Sequence, residues 1–326
     1  MKIVVDAWGG DLAPLEILKG VKEAVSSECV LILIGPRERL LSYYQDLAMD
    51  ETRFPIVDAP QIIEMDEHPA EAIRRKPNSG ITRGIRLLAE EKADAFISAG
   101  NSGALMAGAW LGLSRIGEIE RPAIAALIPN MRSYTVLLDV GANMDCKPKH
   151  LLHFGVMGAE YARIVLETER PRVGLLSIGE EEGKGNEAVK SAYQIFKSRQ
   201  QQLHFEFTGN AEGQDIVAGN VDVVVCDGFT GNALLKFGEG LIELIARIVT
   251  EQVRETELET RVDKALKRLD RSEYGGAPLL GVEGICLVCH GKSRSRDIKS
   301  AILSAKELVR QNIARRIRSG LASLNL

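Results

Sequence analysis

Ala95 to Trp110 read AFISAGNSGALMAGAW, and the fold turns on how this stretch is interpreted. A strand-like apolar run stops at Ser98. A helix-like run is under way by Leu105, and two glycines and an asparagine fill the joint. A buried strand feeding a helix through a short turn is the repeating unit of parallel α/β sheets. Outward from this point the same alternation recurs. Apolar, β-branched runs stand at KIVVD, VLILIG, FPIVD, AIAALIP, YTVLLDVG, RVGLLSIG, HFEFTG, VDVVVCDG and GICLVC, most of them separated by helix-like stretches. These runs are continuous rather than alternating, so the strands are expected to be buried on both faces. The expectation is an α/β protein, a three-layer α/β/α sandwich around a mostly parallel sheet.

No fixed-period repeat, low-complexity tract or long linker divides the chain, so 1–326 reads as a single α/β domain. Residues 232–275 form a projecting helical sub-element, because the helical pattern runs on from Asn232 to Arg271, longer than a crossover needs. Within it Leu258, Val262, Leu266 and Leu269 share a stripe, with Arg261, Lys264, Lys267, Arg268 and Arg271 largely off it. Two readings stand: a helical pair covering the core or a second subunit, and a basic amphipathic tip over 255–271 that touches anionic lipid.

Composition narrows the classes. The 326 residues are 45% apolar with a formal net charge of −4, which suits a globular chain and gives no global positive field for a nucleic acid. The start, MKIVVDAWGGD, lacks the apolar length and cleavage site of an export signal, and no run approaches the roughly 18 residues of a membrane span. A cytoplasmic protein with at most peripheral membrane contact is expected. Five cysteines make a disulfide framework implausible. Cys286 to His290 has the C-x-x-C-H spacing of a haem attachment site or half a zinc site. The surrounding GICLVC run instead favours buried thiols in a strand.

The strand-to-helix joints carry the chemistry. In a parallel sheet they lie at the carboxyl edge, where ligands bind. Glycines there admit a ligand to the backbone, and the helix start presents unbonded N–H groups, so the joint favours an anion, phosphate first. Gly103 and Gly108 have P-loop spacing, but Ala109 and Trp110 stand where Lys and Ser/Thr belong. The dinucleotide pattern is absent too, since the second strand ends at Gly35 without an acidic residue. The grammar of the opening stretch repeats at DAWGGD (6–11), DVGANMD (139–145), IGEEEGKGN (178–186) and DGFTGN (227–232), and these loops are expected to share one sheet edge. Lys184 brings fixed positive charge to them, and His290 ends the last apolar strand. Arg74, Arg75 and Lys76 precede Pro77, which ends their helix or turn. No Ser-His-Asp order, G-x-S-x-G elbow or H-E-x-x-H is visible, so the inventory suits a reaction whose attacking group is already anionic.

Taken in order, VDAWGGD, EAIRRKPNSG, SAGNSGALMAG, LDVGAN with KPKHL, GEEEGKGNE, DVVVCDGFTGNALLK and YGGAPLLG with HGKS resemble the bacterial phosphate acyltransferases of phospholipid synthesis. The match spans almost the whole chain, with Trp8 in place of the usual methionine and Ser102 in place of threonine. The resemblance implies an isocitrate-dehydrogenase-like, phosphate-acetyltransferase-like fold and a homodimer. It implies acyl transfer from acyl-[acyl-carrier-protein] to inorganic phosphate, with no metal or organic cofactor and hand-over to a membrane glycerol 3-phosphate acyltransferase.

For that reaction Lys184, His290 and Asn232 are the expected catalytic group. Phosphate and substrate are assigned to Gly9, Gly10, Asp11, Ser98, Asn101, Ser102, Gly103, Asn143, Asn186, Asp227, Thr230, Gly231 and Ser293. Arg74, Arg75 and Lys76 are expected to dock the acidic carrier protein. Three rivals remain at this stage: a short-chain phosphate acetyltransferase using coenzyme A, a non-catalytic carrier-protein or lipid-surface scaffold, and a dehydrogenase on the same fold.

Overall fold

The structure, a computed structural model, describes residues 1–254, 258–267, 269 and 275–324. The chain parts into two compact units, Met1–Ile124 with Tyr274–Leu326, and Ala125–Glu273.

In the first unit, β1 (Lys2–Asp6), β2 (Val30–Gly35), β3 (Ile56–Asp58), β4 (Ala95–Ser98) and β11 (Ile285–Val288) are parallel in the order β3-β2-β1-β4-β11. β10 (Ala277–Leu280) then runs antiparallel to β11, and the first residues of β5 (Ala123–Pro129) pair antiparallel with β10. All four residues of β4 are buried, so both sheet faces are covered, as its continuous apolar run requires.

The helices of this unit are α1 (Leu15–Glu23), α2 (Arg37–Asp46), α3 (Pro69–Arg75), α4 (Gly80–Ala89), α5 (Ser102–Gly112), α11 (Ser295–Arg310) and α12 (Ile313–Ala322). Helix α4 illustrates the local logic. Ser79 caps it by accepting from Thr82 N, and Ile81, Gly84, Ile85 and Leu88 fall at helical spacing on one buried face against β1 and β4. Burying three aliphatic side chains contributes about 1.5–3 kcal/mol each. Helices α1 and α11 pack on one another, and α11 also rests on β11, β4 and β1.

In the second unit β6 (Tyr134–Leu138), β7 (Arg172–Leu176), β8 (Glu206–Ala211) and β9 (Val223–Val225) are parallel in the order β6-β9-β7-β8, with the rest of β5 antiparallel to β6. Helix α6 (Pro148–Val165) covers β6, β9 and β7, α7 (Glu187–Ser198) covers β7 and β8, and α8 (Gly213–Ala218) links β8 to β9. The three valines of β9 are buried, again on both faces. The α/β architecture with its mostly parallel sheet therefore agrees with the alternating sequence pattern.

Two details differ from the sequence reading. Strand β10, APLL, escaped it because four residues including a proline carry little β signal. The long helical stretch begins earlier than Asn232 and is interrupted: α9 (Gly228–Val253) is capped by Asp227, Arg254 turns to extended backbone, and α10 (Glu259–Lys267) packs back on α9. Residues 255–257, Arg268 and 270–274 of the expected helical sub-element lie outside the described residues. Among the described residues no helix is long and apolar enough to cross a membrane.

Candidate functional site

The first unit gathers three chain-distant loops at the carboxyl ends of β1, β4 and β11. Cys289 N donates to Ser98 O (2.9 Å) and Asp11 N donates to Gly291 O (2.7 Å), which ties the loops after β11 to those after β4 and β1. At the centre stands Asp6, 5% exposed. Its Oδ2 accepts from the Ser98 hydroxyl (2.7 Å), and Ser98 Oγ in turn accepts from Gly100 N (3.0 Å). Burial pushes the Asp6 carboxyl above its ordinary range, against the opposing pull of hydrogen bonds from Ser98, Trp8 N and Gly9 N. Neighbouring backbone presses on the carboxylate. A Cβ at Gly9 would lie 2.6 Å from Gly100 N and 2.7 Å from Asp6 Oδ2, and one at Gly80 would lie 2.7 Å from Asp6 Oδ1. Only glycine allows both approaches.

Helix α5 starts from this cluster. Asn101 Oδ1 accepts from Ala104 N (2.9 Å), while its Nδ2 lies within 3.0–3.3 Å of the carbonyls of Glu64, Met65 and Glu67. The Asn101 amide is thus fully engaged in shaping the turn. What the turn offers outward is the N–H groups of Ser102 and Gly103, in the first turn of α5 where no intrahelical partner exists and the dipole is positive. His290 is exposed, and its Nδ1 accepts from Lys292 N (3.1 Å), which in the neutral ring leaves the proton on Nε2. Ser293 is buried and its N–H donates to His290 O (2.9 Å). Gly9, Gly10, Asp11, Ser98, Asn101, Ser102, Gly103, His290 and Ser293 therefore belong to one cluster.

Arg74 and Arg75 end α3 as expected, exposed, with Arg75 paired to Glu71 at 3.0 Å. Lys76 is placed differently. Its Nζ donates to Ile62 O (2.6 Å) and to the Glu67 carboxylate, bracing the segment whose carbonyls hold Asn101. Glu67 is accordingly held below the ordinary carboxylate range, first by its hydrogen bond from Lys76. Trp8 stacks beneath the Arg39 guanidinium at 4.3 Å.

The second unit repeats the device. Asp139 follows β6 and is fully buried. Its carboxylate accepts from Asn143 N (2.7 Å), Asn143 Nδ2 (2.9 Å) and Ala142 N (3.1 Å). The loop after β9 closes on it: Gly228 N donates to Asn143 O (2.7 Å), and a Cβ at Gly231 would lie 1.9 Å from Asp139 O. Asp227 accepts from Thr230 N and from the Thr230 hydroxyl, both at 2.8 Å, and so caps α9. Asn232 lies beside Gly141, where a Cβ would meet its side chain at 3.8 Å. Asn143, Asp227, Thr230, Gly231 and Asn232 are thus brought together.

The third loop of this unit, 178–186, emerges after β7, the parallel neighbour of β9. Lys184 is exposed, its N–H donates to Glu181 O (2.9 Å), and its ammonium forms no ion pair among the described residues. Asn186 caps α7 by accepting from Val189 N (2.9 Å). Lys184 and Asn186 share this loop, and Asn101 belongs to the other unit.

The sequence reading passed over Asp6 and Asp139. Each is the aspartate that ends an apolar run before a glycine loop, in VVDAWGG and LLDVGAN. The sequence reading also missed the carbonyls of Glu64 to Glu67, which no motif marks. Cys286 lies within β11 and Cys289 just after it; both thiols are buried and pushed up to about 12, as inert structural cysteines would be.

Residues 1–316 match the family described as "Fatty acid synthesis protein". A phosphate acyltransferase of Pelotomaculum thermopropionicum is 48% identical over 337 aligned positions, covering 100% of this chain and 96% of that one. One from Desulforudis audaxviator is 45% identical, covering 99% and 97%. Among solved structures, a phosphotransacetylase from Streptococcus pyogenes superposes with a TM-score of 0.63 at 18% identity over 94% of each chain, a likeness of fold. Full-length identity at this level, together with glycine loops ordered at the strand ends, places the chain in the phosphate acyltransferase family.

Proposed function

We propose that this acyltransferase moves the acyl group of an acyl-[acyl-carrier-protein] onto inorganic phosphate, releasing the carrier thiol and forming acyl phosphate. The observation that carries the reading is the open first turn of α5 at Ser102–Gly103, set beside a glycine turn locked on buried Asp6; a second glycine turn, locked on buried Asp139, lies at Thr230–Gly231, where Asp227 already takes both N–H groups. An open turn of the first kind holds a small anion without a metal-like point charge. Phosphate near pH 7 is largely a dianion, its second pKa being about 6 by analogy with phosphomonoesters, and needs no strong base. A thiol of pKa about 8.5 leaves readily as thiolate. The work left to the protein is to orient two anionic partners and stabilise the oxyanion.

In this scheme the first unit offers phosphate the N–H groups of Ser102 and Gly103, and His290 Nε2–H donates to the oxyanion or departing sulfur. The second unit offers anionic groups the Lys184 ammonium and the Asn232 side chain, with Thr230 and Gly231 shaping the loop that carries Asn232. Gly9, Gly10, Asp11, Ser98, Asn143, Asn186, Asp227 and Ser293 shape these loops. Exposed Arg74 and Arg75 attract an acidic carrier, with Lys76 supporting them.

The same reading includes a homodimer. Phe237, Leu241, Leu244, Ile245 and Ile248 share one face of α9 at helical spacing, and each is at least 43% exposed. A row of this kind favours burial against a second subunit. A cytoplasmic location, peripheral membrane contact through 255–271 and hand-over of product to a membrane glycerol 3-phosphate acyltransferase complete it.

The deciding experiment incubates purified protein with acyl-[acyl-carrier-protein] and phosphate, follows thioester loss, and traps product with hydroxylamine. Phosphate-dependent hydroxamate is expected. Turnover of acetyl-coenzyme A in preference to the carrier thioester would instead install the short-chain reading, and no turnover of either would leave a scaffold.

A further inference from the structure

At the carboxyl ends of β7 and β8, two buried polar atoms have no hydrogen-bond partner among the described residues: Ser177 Oγ and Asn210 Oδ1. Asn210 is 8% exposed. The strand register sets Leu175 opposite Asn210, so Ser177, two residues further on, points to the same face as Asn210. Both lie beneath the 178–186 loop. Asn210 Nδ2 donates to Glu181 O (2.8 Å), and the Cβ position of Gly185 is 3.0 Å from Ser177 Oγ. Each such orphaned atom destabilises the folded protein, because its desolvation is not offset by a hydrogen bond. The segment that seals them is largely exposed and tied to α7 through one side chain: Ile178 is 82% exposed, Glu180 to Lys184 are all exposed, nothing lies within 4 Å of a Cβ at Gly183, and Glu182 accepts from Lys197 (2.7 Å) and Gln194 (2.6 Å) at the surface.

We propose that Ser177 and Asn210 form a subsite for an amide-bearing arm of the acyl donor, uncovered when the 178–186 loop lifts. This rests on the acyl-transfer reading above and names the part of the donor that the second unit recognises. The chemistry is complementary. Asn210 Oδ1 requires a donor such as an amide N–H, Ser177 offers a hydroxyl to an amide carbonyl, and Asn210 Nδ2 already holds one peptide carbonyl, that of Glu181, in the place a ligand carbonyl would take. A carrier protein's pantetheine arm has two amides in series; phosphate and an alkyl chain have no N–H to give. Because the loop carries Lys184, the movement that admits the arm also repositions the cation.

The test compares two octanoyl thioesters, of pantetheine and of ethanethiol, on wild type and on Ser177→Ala, with Asn210→Ala as the second variant. Removing a polar atom that has no partner leaves thermal stability of Ser177→Ala unchanged or slightly raised, whereas loss of a structural hydrogen bond would lower it. The ratio of kcat/KM for the pantetheine thioester over the ethanethiol thioester is expected to fall about fivefold in each variant, the weight of one hydrogen bond. An unchanged ratio, or a fall in stability of Ser177→Ala with equal loss on both donors, overturns the subsite. If wild type acylates phosphate from neither small thioester, the reaction reading is judged separately, on acyl-[acyl-carrier-protein], and fails only if that donor too is left unturned. Calorimetric binding of free pantetheine then judges the subsite alone: binding weakened about fivefold by Ser177→Ala supports it, and binding that is absent or unaltered overturns it.

Discussion

Asp6 in the first unit and Asp139 in the second occupy the same place, at the carboxyl end of a central strand beneath glycine turns, yet they are held differently. Asp139 is satisfied by its own loop, through Ala142 and Asn143, three and four residues on. Asp6 reaches across 92 residues to Ser98, and its cluster is completed by loops near residues 64–67 and 289–293. The Asp139 carboxylate thus draws these three donors from its own turn, while its backbone N–H reaches Cys226 O (3.1 Å) and the 227–232 loop docks on it; the cradle at Asp6 brings four distant segments together. The second unit should resist local change except where backbone touches backbone, and the first should answer to changes in any of its contributing segments.

The largest expected effect falls on the second unit's cation. Lys184→Ala is expected to lower kcat of acyl phosphate formation by about 10²-fold or more with unchanged thermal stability, because one electrostatic donor is lost from an exposed loop. Near wild-type turnover in the hydroxamate assay would remove Lys184 from the mechanism. Next, Gly231→Ala must push a methyl group into Asp139 O, and is expected to cost about 2–3 kcal/mol in urea unfolding together with most activity. A variant as stable as wild type would show that the two loops need no close contact.

For the first unit the comparison is sharpened by pH. The Asp6 carboxyl has a folded-state pKa above its unfolded value of 3.8. The folded state therefore binds the proton more tightly, and the contribution of Asp6 to stability declines as pH rises from about 3.8 through the raised value, then levels off. Asp6→Asn should lack that decline in urea unfolding measured at stepped pH; an unaltered slope would show that another group governs it. Replacing Leu244 and Ile248 of α9 together by aspartate is expected to give a monomer by sedimentation, and a dimer that survives would point the exposed row to another occupant. The smallest expected effect on the fold belongs to Arg74→Glu with Arg75→Glu. Stability should stay within about 0.5 kcal/mol, while KM for the carrier thioester rises several-fold and loses salt dependence. An unchanged KM would move carrier docking elsewhere.

How legible this was in the sequence varied with the range of the interactions. Local signals worked well: continuous apolar runs marked ten of the strands, and Pro77 stopped α3 where expected. The capping roles of Asn101, Asn186 and Asp227 are also local, and each sits just ahead of its helix in the quoted loops. What failed was long-range. Nothing near Lys76 indicates that its ammonium is engaged with Ile62 O and Glu67, and nothing near Asn101 indicates that three carbonyls from 64–67 will take its amide donors. Strand β10 was missed because its partners β5 and β11, not its own composition, make it a strand.

The order in which the first unit's strands come off the ribosome follows from its layout. Strand β4 lies between β1 and β11. Once Ser98 has been made, one side of that apolar strand stays bare until Ile285 arrives, roughly 10–40 s later at about 5–20 residues per second. The second unit is completed inside that interval. Nascent chains therefore carry an open, sticky sheet edge through much of translation, and a chaperone that shields it has a defined period in which to act.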